Sequence, residues 1–136
     1  MQTVIFACIH NAGRSQMAAA FFERLANPEL ARAISAGTQP GERVHPEVVS
    51  VMGELGIALS TKKPQTLTEE LARGATWLIT LGCGEACPNV PGLRRDDWPL
   101  QDPKGAGVEA ALRIRDEVKA RVEALLAREG WGRGAS

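Results

Sequence analysis

The sequence predicts a single α/β domain in which a parallel sheet is covered by helices on both faces. Residues 3–7 form an apolar, β-branched run typical of a buried strand, and residues 16–25 are almost all helix formers. Residues 75–81 are nearly all apolar, as in a strand buried on both faces of a parallel sheet. From residue 108 to residue 126, apolar side chains recur at helical spacing opposite a charged face. Strands that alternate with helices connect by right-handed crossovers, which places the strands in parallel.

Shorter segments complete the expected path of the chain. Residues 33–37 are a short apolar run that ends on a glycine, and they predict a second strand. Pro46 suits a first helical turn, and apolar residues at helical spacing lead from it to Gly56, a C-terminal cap. Thr66 and Glu69 match a capping box and predict the start of another helix.

Length and composition limit the function. The 136 residues suffice for one core, so we expect a single catalytic domain over residues 1–129 and a flexible C-terminal tail over residues 130–136. Basic and acidic residues number 16 each, which predicts no surface for nucleic acid or an anionic membrane. The longest apolar runs are six residues, too short to span a bilayer, and no signal peptide is visible. Three cysteines without an export signal favour a reducing compartment, so we expect a cytoplasmic monomer.

The segment from Cys8 to Ser15 carries the strongest chemical signal. It connects the first strand to the first helix, where backbone N–H groups and the helix dipole bind an anion. This field favours a thiolate at Cys8, and the planar guanidinium of Arg14 can bind two oxygens of a tetrahedral oxyanion. Neither the Walker phosphate loop nor the dinucleotide fingerprint is present. The predicted oxyanion-binding residues are Ile9, His10, Asn11, Ala12, Gly13 and Arg14.

The alternative for Cys8 is a purely structural role, because a cysteine at the end of a buried strand often serves as a small apolar side chain. Arg14 and Ser15 at this spacing, between a strand and a helix, favour the catalytic interpretation. His10 is predicted to be a hydrogen-bonded loop residue, and His45, which precedes Pro46, a structural one, so neither is expected to be catalytic.

Cys83 and Cys87 lie in a glycine-containing loop after the strand of residues 75–81. Their spacing is not that of a thioredoxin-like motif, so a structural role is one interpretation. A zinc site formed with Cys8 and His10 is another, but it would place Arg14 beside a cation and leave it without a role. We therefore expect no bound metal or cofactor, and elemental analysis tests this expectation.

A catalytic acid is expected in residues 96–105, which their prolines and carboxylates identify as a loop. A carboxylic acid opposite the nucleophile would protonate the departing oxygen. We assign this role to Asp102, whereas Asp96 and Asp97 fit solvated charges, although spacing alone does not separate the three.

These motifs resemble a known family. Cys8 with Arg14 and Ser15, residues 35–38 and Asp102-Pro103 are similar to the low-molecular-weight tyrosine phosphatase fold family. Residues 10–18, 97–100 and 102–105 more narrowly resemble its thiol-dependent, thioredoxin-coupled arsenate reductases.

The resemblance implies a four-stranded parallel sheet in a three-layer domain, with Cys8 as nucleophile, Arg14 as oxyanion clamp and Asp102 as acid. It also implies that Cys83 and Cys87 resolve the intermediate as disulfides and that thioredoxin reduces the last one. A phosphatase of this fold is the alternative, but hydrolysis needs no further thiols, and the chain has no tyrosine to frame an aromatic substrate. The prediction is therefore an arsenate reductase with residual phosphatase activity.

Overall fold

The computed structural model describes residues 1–82, 90–101, 105 and 107–133. Its elements in chain order are β1 (Gln2–Cys8), α1 (Arg14–Leu25), β2 (Ala31–Gly37), α2 (Pro46–Gly53), α3 (Glu69–Arg73), β3 (Trp77–Leu81), β4 (Arg94–Trp98) and α4 (Gly107–Glu129). The strands pair in the order β2-β1-β3-β4, and every pair is parallel. The predicted four-stranded α/β sheet is confirmed.

Successive residues of the central strand β1 pack into two separate hydrophobic cores, one on each face of the sheet. Val4 and Phe6 of β1 point into a large core that α1, α2 and α4 cover. Ile5 and Ala7 point into a smaller core that includes Ala72 of α3. This alternation follows from the two-residue period of a strand, and it produces the three layers. Within the described ranges, no helix combines the length and apolar character needed to cross a bilayer.

The strand β4 corrects the prediction of a loop beginning at residue 96. Its five residues include two arginines and two aspartates, a composition that gives no strand signal. It forms because β4 is an edge strand whose backbone pairs with β3, so its charged side chains can face solvent. Trp98 turns inward, and its ring centroid lies 5.6 Å from that of Phe6.

The structure also corrects two predicted helix boundaries. Thr68, not Thr66, caps α3, because its side chain accepts a hydrogen bond from the Leu71 N–H at 3.2 Å. Thr66 instead forms a parallel bridge with Gly37. The helix α2 ends at Gly53, although Gly56 has the positive φ of 75° expected of a glycine that closes the following turn.

The prediction of a loose tail is wrong for residues 130–133. Trp131 is only 8% exposed, and its ring packs edge-on against Phe22 at 6.1 Å. The Trp131 carbonyl accepts from the Asn27 N–H at 2.7 Å, and Gly132 bridges to Ala26. Trp131 is therefore part of the core, and it fixes this segment against the domain. Residues 134–136 lie outside the described part of the chain.

Candidate active site

The loop of residues 9–13 lies at the carboxyl edge of the sheet, between the end of β1 and the start of α1. Active sites of parallel sheets form at this edge. Cys8 pairs in register with Gly37 of β2, and a Cβ at Gly37 would lie 2.6 Å from the Ile9 carbonyl oxygen. Only glycine lets the loop pass this closely over the neighbouring strand.

Hydrogen bonds hold the loop carbonyls away from its centre. The carbonyls of Cys8, Ile9, His10 and Ala12 accept from the N–H groups of Thr38, Gln39, Gly41 and His45 at 2.8–3.3 Å. A trans peptide points its N–H opposite to its C=O. The next N–H groups along the loop therefore turn inward, as the anion-binding prediction requires.

Cys8 lies at the centre of the loop, on the side to which these N–H groups point. The Cys8 side chain is a free thiol, and the residue is 3% exposed. Its Sγ accepts from the Asn11 N–H at 3.2 Å and lies 3.0 Å from Ser15 Oγ. Ser15 Oγ already accepts from Asn11 Nδ2 at 2.8 Å, so the serine proton is available to donate to the sulfur. The sulfur thus has the Asn11 N–H and the Ser15 hydroxyl as its hydrogen-bond partners.

Asn11 fixes the shape of the loop. It is fully buried and has a φ of 50°, a left-handed conformation that asparagine tolerates better than most residues. Its Oδ1 accepts from the Gln65 N–H at 3.0 Å and from Gln16 Nε2 at 3.2 Å, and Gln16 Nε2 also donates to the Asn11 carbonyl at 3.0 Å. Sequence reasoning missed Gln65, because its contribution is a backbone N–H that any residue except proline supplies.

Arg14 begins α1 and is 7% exposed. Its Nη1 donates to the Leu100 carbonyl at 2.9 Å, which connects the first helix to the segment after β4. Arg14 also lines a small hollow beside Cys8, where the sequence predicts that an oxyanion binds. The residues around this hollow are Cys8, His10, Ala12, Gly13, Arg14 and His45.

The two histidines differ from the expectation in one respect. His10 Nδ1 lies 3.0 Å from the Gln39 carbonyl, which fits the predicted hydrogen-bonded role. His45 precedes α2, as predicted, but it also lines the hollow beside Cys8. Local sequence patterns could not predict this position, because residues 38–45 are brought to the loop by tertiary contacts such as the His45 N–H bond to the Ala12 carbonyl.

Asp96 and Asp97 make structural contacts. Asp96 accepts from the Trp98 indole N–H at 3.2 Å. The Thr80 hydroxyl donates to Asp97 and lowers the pKa of that carboxyl below its ordinary value, burial opposes this shift, and Arg95 supports it. Both carboxylates thus accept hydrogen bonds from side chains of β3 and β4.

Cys83, Cys87 and Asp102 lie outside the described residues, so their predicted roles stay predictions. The described residues hold no cluster of three or more histidine, cysteine, aspartate or glutamate side chains that could bind a metal. The zinc alternative stays untested, because it includes both of these cysteines.

Comparison with known proteins gives a consistent result. A family model described as low molecular weight phosphotyrosine protein phosphatase matches residues 3–130. A putative arsenate reductase of Halobacterium salinarum is 36% identical over 121 residues, which are 86% of this chain and 85% of that protein. A glutaredoxin arsenate reductase of Synechocystis sp. is 36% identical over 131 residues, 94% of this chain and 98% of that protein.

A solved structure agrees with these relatives. A thioredoxin-dependent arsenate reductase of Corynebacterium glutamicum matches with a TM-score of 0.78 and 34% identity. The match covers 94% of this chain and 61% of the longer Corynebacterium chain.

Proposed function

Because the chain belongs to the low molecular weight phosphotyrosine protein phosphatase family, we propose that it is an arsenate reductase that converts arsenate to arsenite with electrons from thiols. The relatives named as arsenate reductases span most of its length. The observation that carries the proposal is the buried Cys8 thiol, which receives hydrogen bonds at the loop that Arg14 also lines.

The first step is attack of the Cys8 thiolate on arsenic. Asn11 and Ser15 stabilise the thiolate, and Arg14 with the inward N–H groups binds the arsenate oxygens. A sulfur–arsenic bond forms while an arsenic–oxygen bond breaks. Asp102 protonates the departing oxygen, which leaves as water.

The second step moves two electrons onto arsenic. The Cys83 thiolate attacks the Cys8 sulfur, and the electron pair of the breaking sulfur–arsenic bond stays on arsenic, which leaves as arsenite. Cys87 then attacks Cys83 in the resulting Cys8–Cys83 disulfide. This exchange releases the Cys8 thiolate and leaves a Cys83–Cys87 disulfide.

A thiol reductant must then reduce that last disulfide, and we assign this role to thioredoxin in the cytoplasm. A relative with this coupling supports the assignment. The Synechocystis relative, named for glutaredoxin, supplies the competing assignment. Parallel assays with thioredoxin and its reductase, and with glutaredoxin and glutathione, separate the two: faster turnover with glutaredoxin would overturn it.

Phosphate ester hydrolysis is the second candidate, because a tetrahedral oxyanion at Cys8 and Arg14 can equally be phosphate. A thiophosphate intermediate is hydrolysed by water, and no electrons move. We expect this reaction only as a slow side activity.

The experiment compares the two reactions in one preparation. Arsenate-dependent NADPH oxidation with thioredoxin and its reductase is measured beside hydrolysis of an aryl phosphate, for the natural chain and for Cys8→Ser. We expect reduction to be the faster reaction and Cys8→Ser to lose both activities. Reductase activity that survives in Cys8→Ser would remove Cys8 from the mechanism.

A further inference from the structure

Gly82 lies against the guanidinium of Arg14. It follows the last residue of β3 and has a φ of 69°. A Cβ built on Gly82 would collide with both Arg14 Nη1 and the Leu100 carbonyl oxygen, far inside any real contact distance. The peptide after β3 therefore packs directly under the hydrogen bond that joins Arg14 to Leu100.

The Leu100 carbonyl is a fixed anchor. Leu100 is 5% exposed, and two residues earlier Trp98 is 4% exposed, with its ring packed on Phe6. Because the guanidinium is planar, the 2.9 Å bond from Nη1 to this carbonyl restricts the orientation of the whole group. The orientation of Arg14 thus depends on room at residue 82.

Other glycines with positive φ show that this contact is not a general property of turns. A Cβ at Gly56 would just touch an arginine side chain at 3.9 Å, and a Cβ at Gly92 or Gly130 would meet nothing within 4 Å. Those glycines serve backbone conformation alone. Among the described glycines with positive φ, the close approach belongs to Gly82.

We propose that Gly82 is a positioning residue for Arg14: because it has no side chain, the guanidinium can donate to the Leu100 carbonyl and be held in place to bind the oxyanion. A methyl group at residue 82 pushes Arg14 off this carbonyl, and the affinity for arsenate and phosphate falls. The inference rests on the proposed function only in that Arg14 binds the oxyanion.

The test measures binding rather than turnover, so it stands even if arsenate is not the natural substrate. Dissociation constants for inorganic phosphate and arsenate are measured by calorimetry for Gly82→Ala and for Gly130→Ala. The control residue has a φ of 73° and open space around it, so both variants carry the same backbone strain. We expect Gly82→Ala to bind roughly tenfold more weakly or worse, and Gly130→Ala to bind like the natural chain. Equal affinity in the two variants would overturn the proposal.

A double-mutant cycle shows whether Gly82 acts through Arg14. We expect Gly82→Ala to add no further loss of phosphate affinity in an Arg14→Ala background. A full additional loss would assign the effect to the segment around Leu100 instead and would overturn the proposal.

If Gly82→Ala does not fold, the natural chain supplies the readout. Nitrogen-15 spectra should show a resolved Arg14 Nη1 signal, because the bond to Leu100 slows rotation about Cζ–Nη1. A freely rotating Arg14 group would overturn the proposal.

Discussion

Cys8 Sγ at the end of β1 and Ser15 Oγ in the first turn of α1 lie 3.0 Å apart, and Asn11 contacts both atoms. Hydrogen bonds to this one sulfur thereby connect the end of β1 to Asn11 in the loop and to the first turn of α1. Cys8 is therefore positioned by hydrogen bonds that also fix the conformation of the loop.

Ser15→Ala should lower the rate of thiol chemistry. The substitution removes a donor to the sulfur and leaves Asn11 Nδ2 without its acceptor. A hydrogen bond to a charged group contributes about 1.5–3 kcal/mol, so we expect alkylation of Cys8 by iodoacetamide at pH 6 to slow by roughly 10- to 100-fold. Ser15→Thr, which keeps a hydroxyl, is the control. Equal rates for Ser15→Ala and the natural chain would show that this contact has no catalytic effect.

Cys83→Ser and Cys87→Ser should separate reduction from hydrolysis. Each variant lacks a thiol that the relay needs, so thioredoxin-coupled arsenate turnover should fall to background. Of the three thiols, aryl phosphate hydrolysis needs only Cys8, so this activity should continue in both variants. The relay is wrong if coupled turnover persists after either thiol is lost.

Thr80→Val should change how stability depends on pH. The Thr80 hydroxyl holds the pKa of Asp97 below its ordinary value of 3.8. Because the folded-state pKa is the lower one, ionised Asp97 stabilises the fold above about pH 3.8, and this contribution is lost as the pH falls through the folded-state pKa. Asp97 is largely exposed, so the effect should be about 1 kcal/mol or less.

Carboxyl NMR titrations and urea unfolding between pH 3 and pH 7 test this account of Asp97. In Thr80→Val the pKa of Asp97 should rise, and the stability difference from the natural chain should shrink toward pH 3. Thr80→Ser keeps the hydroxyl and should keep the low pKa. A stability difference that does not vary with pH would assign the role of Thr80 to packing alone.

Trp131→Ala should lower the free energy of unfolding, although Trp131 lies after the last helix. The residue fills a buried position against Phe22, and removing such a ring costs about 3–5 kcal/mol. Trp131→Phe keeps an aromatic contact and should cost clearly less. Chemical unfolding provides the comparison, and a Trp131→Ala variant as stable as the natural chain would restore the loose-tail interpretation.

Local sequence patterns were sufficient to predict the segment from β1 to α1, with Cys8 at the end of the strand and Arg14 at the start of the helix. An apolar strand, a short loop and a run of helix formers are each encoded by neighbouring residues. The strand β4 was missed because an edge strand pairs through its backbone, and its charged side chains carry no strand pattern.

The backbone groups that hold Arg14 and Asn11 in place were missed for a related reason. Every residue has a backbone carbonyl and every residue except proline has a backbone N–H, so only the fold reveals that the Leu100 carbonyl contacts Arg14 and that the Gln65 N–H contacts Asn11. Gly82 was visible as a turn residue, but its contact with a guanidinium 68 positions earlier was not.

The most direct test of the central claim is a single-turnover experiment without any reductase. Fully reduced protein is mixed with excess arsenate, arsenite is quantified, and the disulfides are mapped by peptide mass spectrometry. The account predicts about one arsenite per protein molecule and a Cys83–Cys87 disulfide, since two thiols supply the two electrons. Protein that hydrolyses an aryl phosphate yet forms no arsenite, with all three thiols still reduced, would contradict it.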